Sequence, residues 1–97
     1  MIIFADKNLT KPLKELELGI LKAGETKKFI FHIHNETKAN LRNLKMFVPH
    51  NEVNIIKAPV NIGPMETQDL IVQWNPSVDI KEPLKTTLKV TGEELYG

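Results

Sequence analysis

The chain has 97 residues, with 13 Lys and Arg against 12 Asp and Glu, a net charge of +1, and no Cys. With 41% hydrophobic residues, a chain of this length is expected to form one domain, residues 1–97, whose core needs no metal or disulfide. The basic residues are scattered rather than clustered, which argues against nucleic acid as a partner. The lack of Cys excludes thiol catalysis and thiolate metal sites.

The N-terminus carries no predicted targeting segment. Met1–Ala5 is apolar, but Asp6 and Lys7 follow at once, so the stretch is too short for a signal peptide. No apolar run reaches the roughly 20 residues that a membrane span needs. We therefore expect a protein that stays where it is made, in the cytoplasm, without a membrane span.

The first strand is predicted in two pieces, Ile2–Ala5 and Leu16–Leu21, with a bulge or bend at Gly19. A helix over Lys11–Leu21 is the alternative, because its apolar residues recur at spacings of three and four. The Gly and the neighbouring strands weigh against that helix. A turn at Ala23–Glu25 then leads into the next strand.

The clearest strand is Lys27–Asn35, in which a period of two places Phe29, Phe31 and Ile33 on one face. Further strands are predicted from the same alternation, each stopped by Pro, Asn or Gly. They are Leu44–Val48 before Pro49, Val53–Ala58, a strand with Leu70, Val72 and Trp74 facing inward, and Leu84–Thr91 before Gly92. No helix of two turns is expected, so the fold class is all-β: an immunoglobulin-like antiparallel β-sandwich of about six to seven strands.

Two turn-and-strand units carry a family resemblance. Leu21–Glu25 precedes the strand that ends in Asn35, and Ile62–Glu66 precedes the strand that ends in Trp74–Pro76. This arrangement resembles immunoglobulin-like modules of the CARDB and ASH types, in which a Gly-Glu turn precedes each long strand and a W-x-P closes the later one. The resemblance covers Leu16–Gly92 and consists of turn and core signals.

Antibody-type hallmarks are absent, since there is no Cys pair, the single Trp is not on the third strand and the single Tyr is Tyr96. Free-standing modules of this kind resemble tailed-phage virion proteins that decorate capsids or line tails. The resemblance therefore implies a virion or cytoplasmic location and protein subunits as partners.

Residues able to do chemistry are few. His32 and His34 lie two apart on one strand and so point the same way, as two zinc ligands do, but no third ligand is placed beside them. His50 follows the third strand, which belongs to the opposite sheet in this fold. The simpler interpretation is two solvated histidines on an outer face, and we expect no metal and no cofactor.

The single Ser, Ser77, lies in a turn two residues before Asp79. A nucleophilic Ser needs a base and an oxyanion hole, whereas Ser and Asp commonly cap turns. The glycines do not form a phosphate-binding loop. We therefore expect no enzymatic activity.

The remaining candidates lie on the surface. If Phe29, Phe31 and Ile33 face the core, Ile30 faces outward, and Ile71 does so on a strand expected to be its neighbour in the sheet. Such a pair forms an apolar patch of the kind that binds partners, although isolated exposed apolar residues are ordinary. The predicted interface residues on this face are Ile30, His32, His34 and Ile71. Phe47 is a second candidate, expected to face outward on the other sheet unless a loop covers it.

The edge of the predicted last strand, Leu84–Thr91, offers a second route to a partner, because unpaired strand edges accept other strands. Either the two-part N-terminal strand or a neighbouring subunit covers it. The expected function is a non-enzymatic structural or accessory component of a large assembly, most simply a virion. The alternative is a module that recognises protein or carbohydrate at a cell surface.

Overall fold

Nine short strands and no helix form residues 1–96, the part of the chain that the computed structural model describes. Gly97, the last residue of the predicted domain, lies outside the described residues. The strands are β1 (Ile2–Phe4), β2 (Pro12–Leu13), β3 (Leu16–Gly19), β4 (Lys27–His34), β5 (Asn40–Phe47), β6 (Val53–Lys57), β7 (Thr67–Trp74), β8 (Leu84–Thr86) and β9 (Lys89–Leu95).

The strands form three antiparallel sheets. A five-stranded sheet has the order β2-β1-β4-β7-β6, and two smaller sheets pair β3 with β8 and β5 with β9. All three contribute to a single apolar cluster, whose buried members are Leu16, Leu18, Phe31, Ile33, Leu41, Leu44, Val48, Val53, Ile62, Leu70, Val72 and Trp74. The predicted all-β class is confirmed, and antiparallel sheets around a shared core are compatible with a β-sandwich.

The two central strands show the predicted alternation. On β4, Phe31 and Ile33 are buried, while Phe29 is half-buried at the margin of the core. On β7, Leu70 and Trp74 are fully buried together with the Val between them. The β4–β7 pairing runs over eight residue pairs without a register shift, so each strand turns one face to the core and the other outward.

The N-terminal strand is divided further than predicted, because its parts lie in different sheets. β1 pairs with β4 and β2, whereas β3 pairs with β8. The alternative helix over Lys11–Leu21 is wrong, since this segment crosses from one sheet to another as two short strands. The predicted irregularity at Gly19 is confirmed by a register shift there and by a φ of +77°.

The predicted last strand, Leu84–Thr91, is in fact two strands that pair with different partners. β8 pairs with β3, so the N-terminal strand does cover this part of the edge. β9 pairs with β5 and continues past Gly92, which the sequence had suggested as its end. Gly92 instead allows β9 to lie close to β5, because a Cβ at this position would lie 2.6 Å from Cδ2 of Leu44.

The third strand also begins earlier than predicted. β5 starts at Asn40, four residues before Leu44, and a register shift against β9 lies between Arg42 and Lys45. Asn43, inside the shift, has a φ of +54°, a conformation that Asn adopts more readily than most residues. The bulge interrupts the simple alternation, which explains why the sequence pattern showed only the second half of the strand.

A buried Asn closes the end of β4. The side-chain amide of Asn35 donates to the carbonyl oxygens of Ala39, Ile62 and Gly63 at 2.7, 3.2 and 2.9 Å, and its Oδ1 accepts from the N–H and hydroxyl of Thr37. Since buried carbonyl groups are costly without partners, this side chain holds three chain segments together. It joins the end of β4 to the start of β5 and to the segment that precedes β7.

Trp74 provides the test of the core. It is fully buried, so Trp74→Ala is expected to lower the free energy of unfolding by about 3–5 kcal/mol. Within residues 1–96 its indole N–H has no hydrogen-bond partner. Trp74→Phe removes that unpaired donor and keeps an aromatic ring, so its loss is expected to stay below about 2 kcal/mol.

Urea denaturation followed by circular dichroism measures both Trp74 variants. Equal losses for Ala and Phe would contradict the assignment of Trp74 as a packing residue, because only the Ala variant empties the site.

Candidate functional site

The outward face of β4 and β7 brings four of the predicted interface residues together. Ile30 lies directly opposite Ile71, His32 opposite Asp69, and His34 opposite Thr67. We call these six residues the outer-face patch. Ile30 is 53% exposed and Ile71 is half-buried beside it, so the two side chains form an adjacent apolar pair on the surface of the sheet.

Both histidines are held by their cross-strand neighbours. The Nδ1 of His32 lies 3.0 Å from Oδ1 of Asp69, and the Nδ1 of His34 lies 2.8 Å from the hydroxyl oxygen of Thr67. The ring of buried Phe4 lies edge-on to that of His34, with centroids 6.4 Å apart. The side chain of His32 is only 14% exposed. The expectation of a solvated histidine is therefore wrong for His32, because β1 and β7 flank it.

An open concavity of about 580 Å³ lies over the patch, lined by Ile30, His32, Thr67, Asp69 and Lys7. Lys7 reaches it from the loop between β1 and β2. The lining of the concavity thus combines an aliphatic side chain with a hydroxyl, an imidazole, a carboxylate and an ammonium group. Such a surface offers one apolar anchor surrounded by hydrogen-bonding groups.

The loop that carries Lys7 is fastened by Asp6. The carboxylate of Asp6 accepts hydrogen bonds from the hydroxyl and N–H of Thr10 and from the N–H of Lys11, at 2.6–3.1 Å. The hydroxyl of Thr10 is the main reason that the pKa of Asp6 lies below its usual 3.8. The ionised carboxylate therefore stabilises this loop next to the concavity.

The three histidines that were considered as zinc ligands are not all brought together within residues 1–96. His50 lies after β5, where its Nδ1 accepts a hydrogen bond from the N–H of Glu52 at 3.2 Å. Among residues 1–96, no group of three His, Asp or Glu side chains is arranged to hold a metal ion. His32 and Asp69 are in contact, but a catalytic zinc site requires three protein ligands.

Ser77 and Asp79 stabilise two different loop contacts. The N–H of Ser77 donates to the Oε2 of Glu52 at 2.9 Å, and Ser77 lowers the pKa of that carboxyl through hydrogen bonds from its side chain and its N–H. Asp79 accepts from the N–H of Ala23 at 2.8 Å. The expected local turn capped by these two side chains is therefore not observed: Asp79 accepts from a distant loop, and the N–H of Ser77 donates to Glu52.

Phe47 lies apart from the outer-face patch. It projects from β5, in the sheet with β9, and is 54% exposed. The ammonium group of Lys89 lies 5.5 Å from the centre of its ring, a cation–π contact with its cross-strand neighbour. The fifth predicted interface residue therefore belongs to a different surface.

Sequence reasoning missed Thr67, Asp69 and Lys7. The alternation of β7 placed Asp69 on the outward face in principle, because Leu70 and Val72 face the core. What it did not provide was the register that sets Asp69 opposite His32. The position of Lys7 depends on a loop conformation that has no sequence period.

Comparisons with protein-family models, curated proteins and solved structures find no match to this chain. Within residues 1–96, no helix has the length and apolar character to cross a membrane.

The loop beside the concavity makes stability depend on pH. The pKa of Asp6 is lowered in the folded state, so its contribution is fully present above the unfolded value near 3.8 and is lost as the pH falls through and below it. We expect Asp6→Asn to lower the melting temperature at about pH 6, with the difference from wild type narrowing below pH 3.8. Thermal melts from about pH 6 to pH 2.5 measure this.

A difference between Asp6→Asn and wild type that stays constant over that range would contradict the prediction. It would mean that the substitution acts through packing and not through the ionised carboxylate.

Proposed function

We propose that this chain is a non-enzymatic structural or accessory component of a large protein assembly, and that it docks onto protein subunits through the outer-face patch and through strand edges. The observation that carries this proposal is the pairing of Ile30 with Ile71 on the exposed face of the central sheet. A partner that covers these two side chains removes adjacent apolar surface from water.

The free energy gained by burying these two side chains is large enough for them to anchor an interface. Fully burying one Ile side chain contributes roughly 1.5–3 kcal/mol, and interfaces commonly derive most of their affinity from a few central residues. The flanking pairs, His32 with Asp69 and His34 with Thr67, are already joined to each other. Their side chains lose little freedom on docking, which lowers the cost of binding.

A virion is the assembly that the resemblance favours. The two turn-and-strand units resemble immunoglobulin-like modules, and the neighbour order β1-β4-β7-β6 within the five-stranded sheet is compatible with one sheet of such a domain. The net charge of +1 makes long-range electrostatic attraction a minor contributor. Similarity of fold alone does not specify a partner, so the proposal rests on the outer-face patch.

The concavity favours a second candidate, recognition of a carbohydrate. Lys7, His32, Thr67 and Asp69 surround Ile30 there, and hydroxyl-rich ligands bind where several hydrogen-bonding groups converge on a small apolar surface. The two functions make different demands on the same face. Assembly needs the isoleucine pair, whereas glycan recognition needs the polar rim.

Ile30→Lys combined with Ile71→Lys tests the assembly function. The double variant is expected to abolish co-elution with megadalton particles from the source lysate, because two ammonium groups replace the apolar anchor. Its melting temperature should fall only modestly, because Ile30 is exposed and Ile71 half-buried, while the two new Lys lie opposite each other. Size-exclusion chromatography with light scattering measures co-elution, and thermal melts measure stability.

The matched control is Val60→Lys combined with Val78→Lys, which changes two exposed aliphatic residues outside the patch and should leave co-elution intact. Unaltered co-elution of the Ile30/Ile71 variant would reject the patch as the docking surface. Wild type that ignores particles but binds a glycan array, with loss of binding in Asp69→Ala, would instead establish carbohydrate recognition.

A further inference from the structure

The second edge of β9 is unpaired in residues 1–96. β9 is bonded to β5 along one side. The other side of β5 is occupied, because Leu41 exchanges hydrogen bonds with Ile62 at 2.8 and 2.9 Å and the N–H of Leu44 donates to the carbonyl of Val60. β9 therefore ends this sheet and presents its backbone groups to an incoming strand.

A groove of about 250 Å³ with both apolar and polar lining lies beside β9. Its lining includes the core residues Leu41 and Leu44, together with Met1, Val90 and Gly92, and it is bordered by Glu93 and Glu94. A strand added to this edge would therefore gain main-chain hydrogen bonds and would also cover apolar side chains next to the core.

The sequence of β9 is complementary to itself in the antiparallel direction. Val90 packs against the core and Gly92 lies against Leu44, so Lys89, Thr91 and Glu93 face away from the core by the period of two. In a pairing of two β9 strands centred on Thr91, Lys89 of each copy lies opposite Glu93 of the other. Opposite charges that face each other across antiparallel strands are favourable.

The same register fits the inward face. Val90 of each copy lies opposite Gly92 of the other, so each aliphatic side chain lies over a position that has no side chain of its own. A single two-fold axis at Thr91 generates both matches twice, as an isologous interface requires. Lys89 and Glu93 are both exposed in the single chain, where Lys89 lies over the ring of Phe47 and Glu93 accepts a hydrogen bond from Asn43. Pairing across the dimer therefore exchanges these surface contacts for the ion pairs.

We propose that a second copy of this chain is the occupant of the β9 edge, and that the protein forms a two-fold dimer through antiparallel β9–β9 pairing. This goes beyond the proposed function and uses a different sheet from the outer-face patch. The dimer would join the β5–β9 sheets of the two copies into one sheet. The Ile30–Ile71 pair of each copy lies on a different sheet and would stay exposed.

Charge reversal tests the dimer on the isolated protein, so its outcome does not depend on the proposed function. Lys89→Glu and Glu93→Lys each place like charges opposite one another twice, and each is expected to weaken self-association by about tenfold or more. An equimolar mixture of the two variants restores opposite charges and should recover a heterodimer. The double variant K89E/E93K should recover a homodimer. Sedimentation equilibrium over a concentration series measures all four.

Lys28→Glu is the matched control, because Lys28 is an exposed Lys on β4, in the five-stranded sheet that contains neither β5 nor β9. It should dimerise like wild type, and thermal melts should show every variant folded. Wild type that remains monomeric at the highest attainable concentration would overturn the proposal. So would dimers that persist in both single variants, or a mixture that fails to associate.

Discussion

The uninterrupted pairing of β4 with β7 is the constraint on which the rest of the structure depends. Eight residue pairs share one register, and the strict alternation of side chains then decides both faces of the sheet at once. One face supplies Phe31, Ile33 and Leu70 to the core. The other carries the outer-face patch. The packing of the core and the position of the candidate docking surface therefore both depend on the pairing of β4 with β7.

A shift of one residue in this register would invert both faces. It would bury Ile30 and His32 and expose the apolar residues that now fill the core, at a cost of several buried side chains. The core therefore protects the geometry of the patch. This is why a contact as local as His32 with Asp69 is held in place by residues on the opposite side of the sheet.

Polar side chains hold the loops next to the paired strands in place. Asn35 ties the end of β4 to the start of β5 and to the approach to β7 through five hydrogen bonds. Asp6 fastens the loop that carries Lys7. The outer-face patch and the β9 edge lie on different sheets.

By itself the sequence determined the all-β class, the irregularity at Gly19 and the inward and outward faces of β4 and β7, because the period of two is a local property of the strand. That Ile30 and Ile71 are adjacent was expected only from the immunoglobulin-like resemblance, and it depends on the pairing of β4 with β7. Tertiary structure alone decided the division of Leu84–Thr91 into β8 and β9, the role of Gly92 against Leu44, the partners of His32 and His34, and the position of Lys7. Each of these depends on which strands pair and in what register. That choice is made by long-range packing, which leaves no period in the chain.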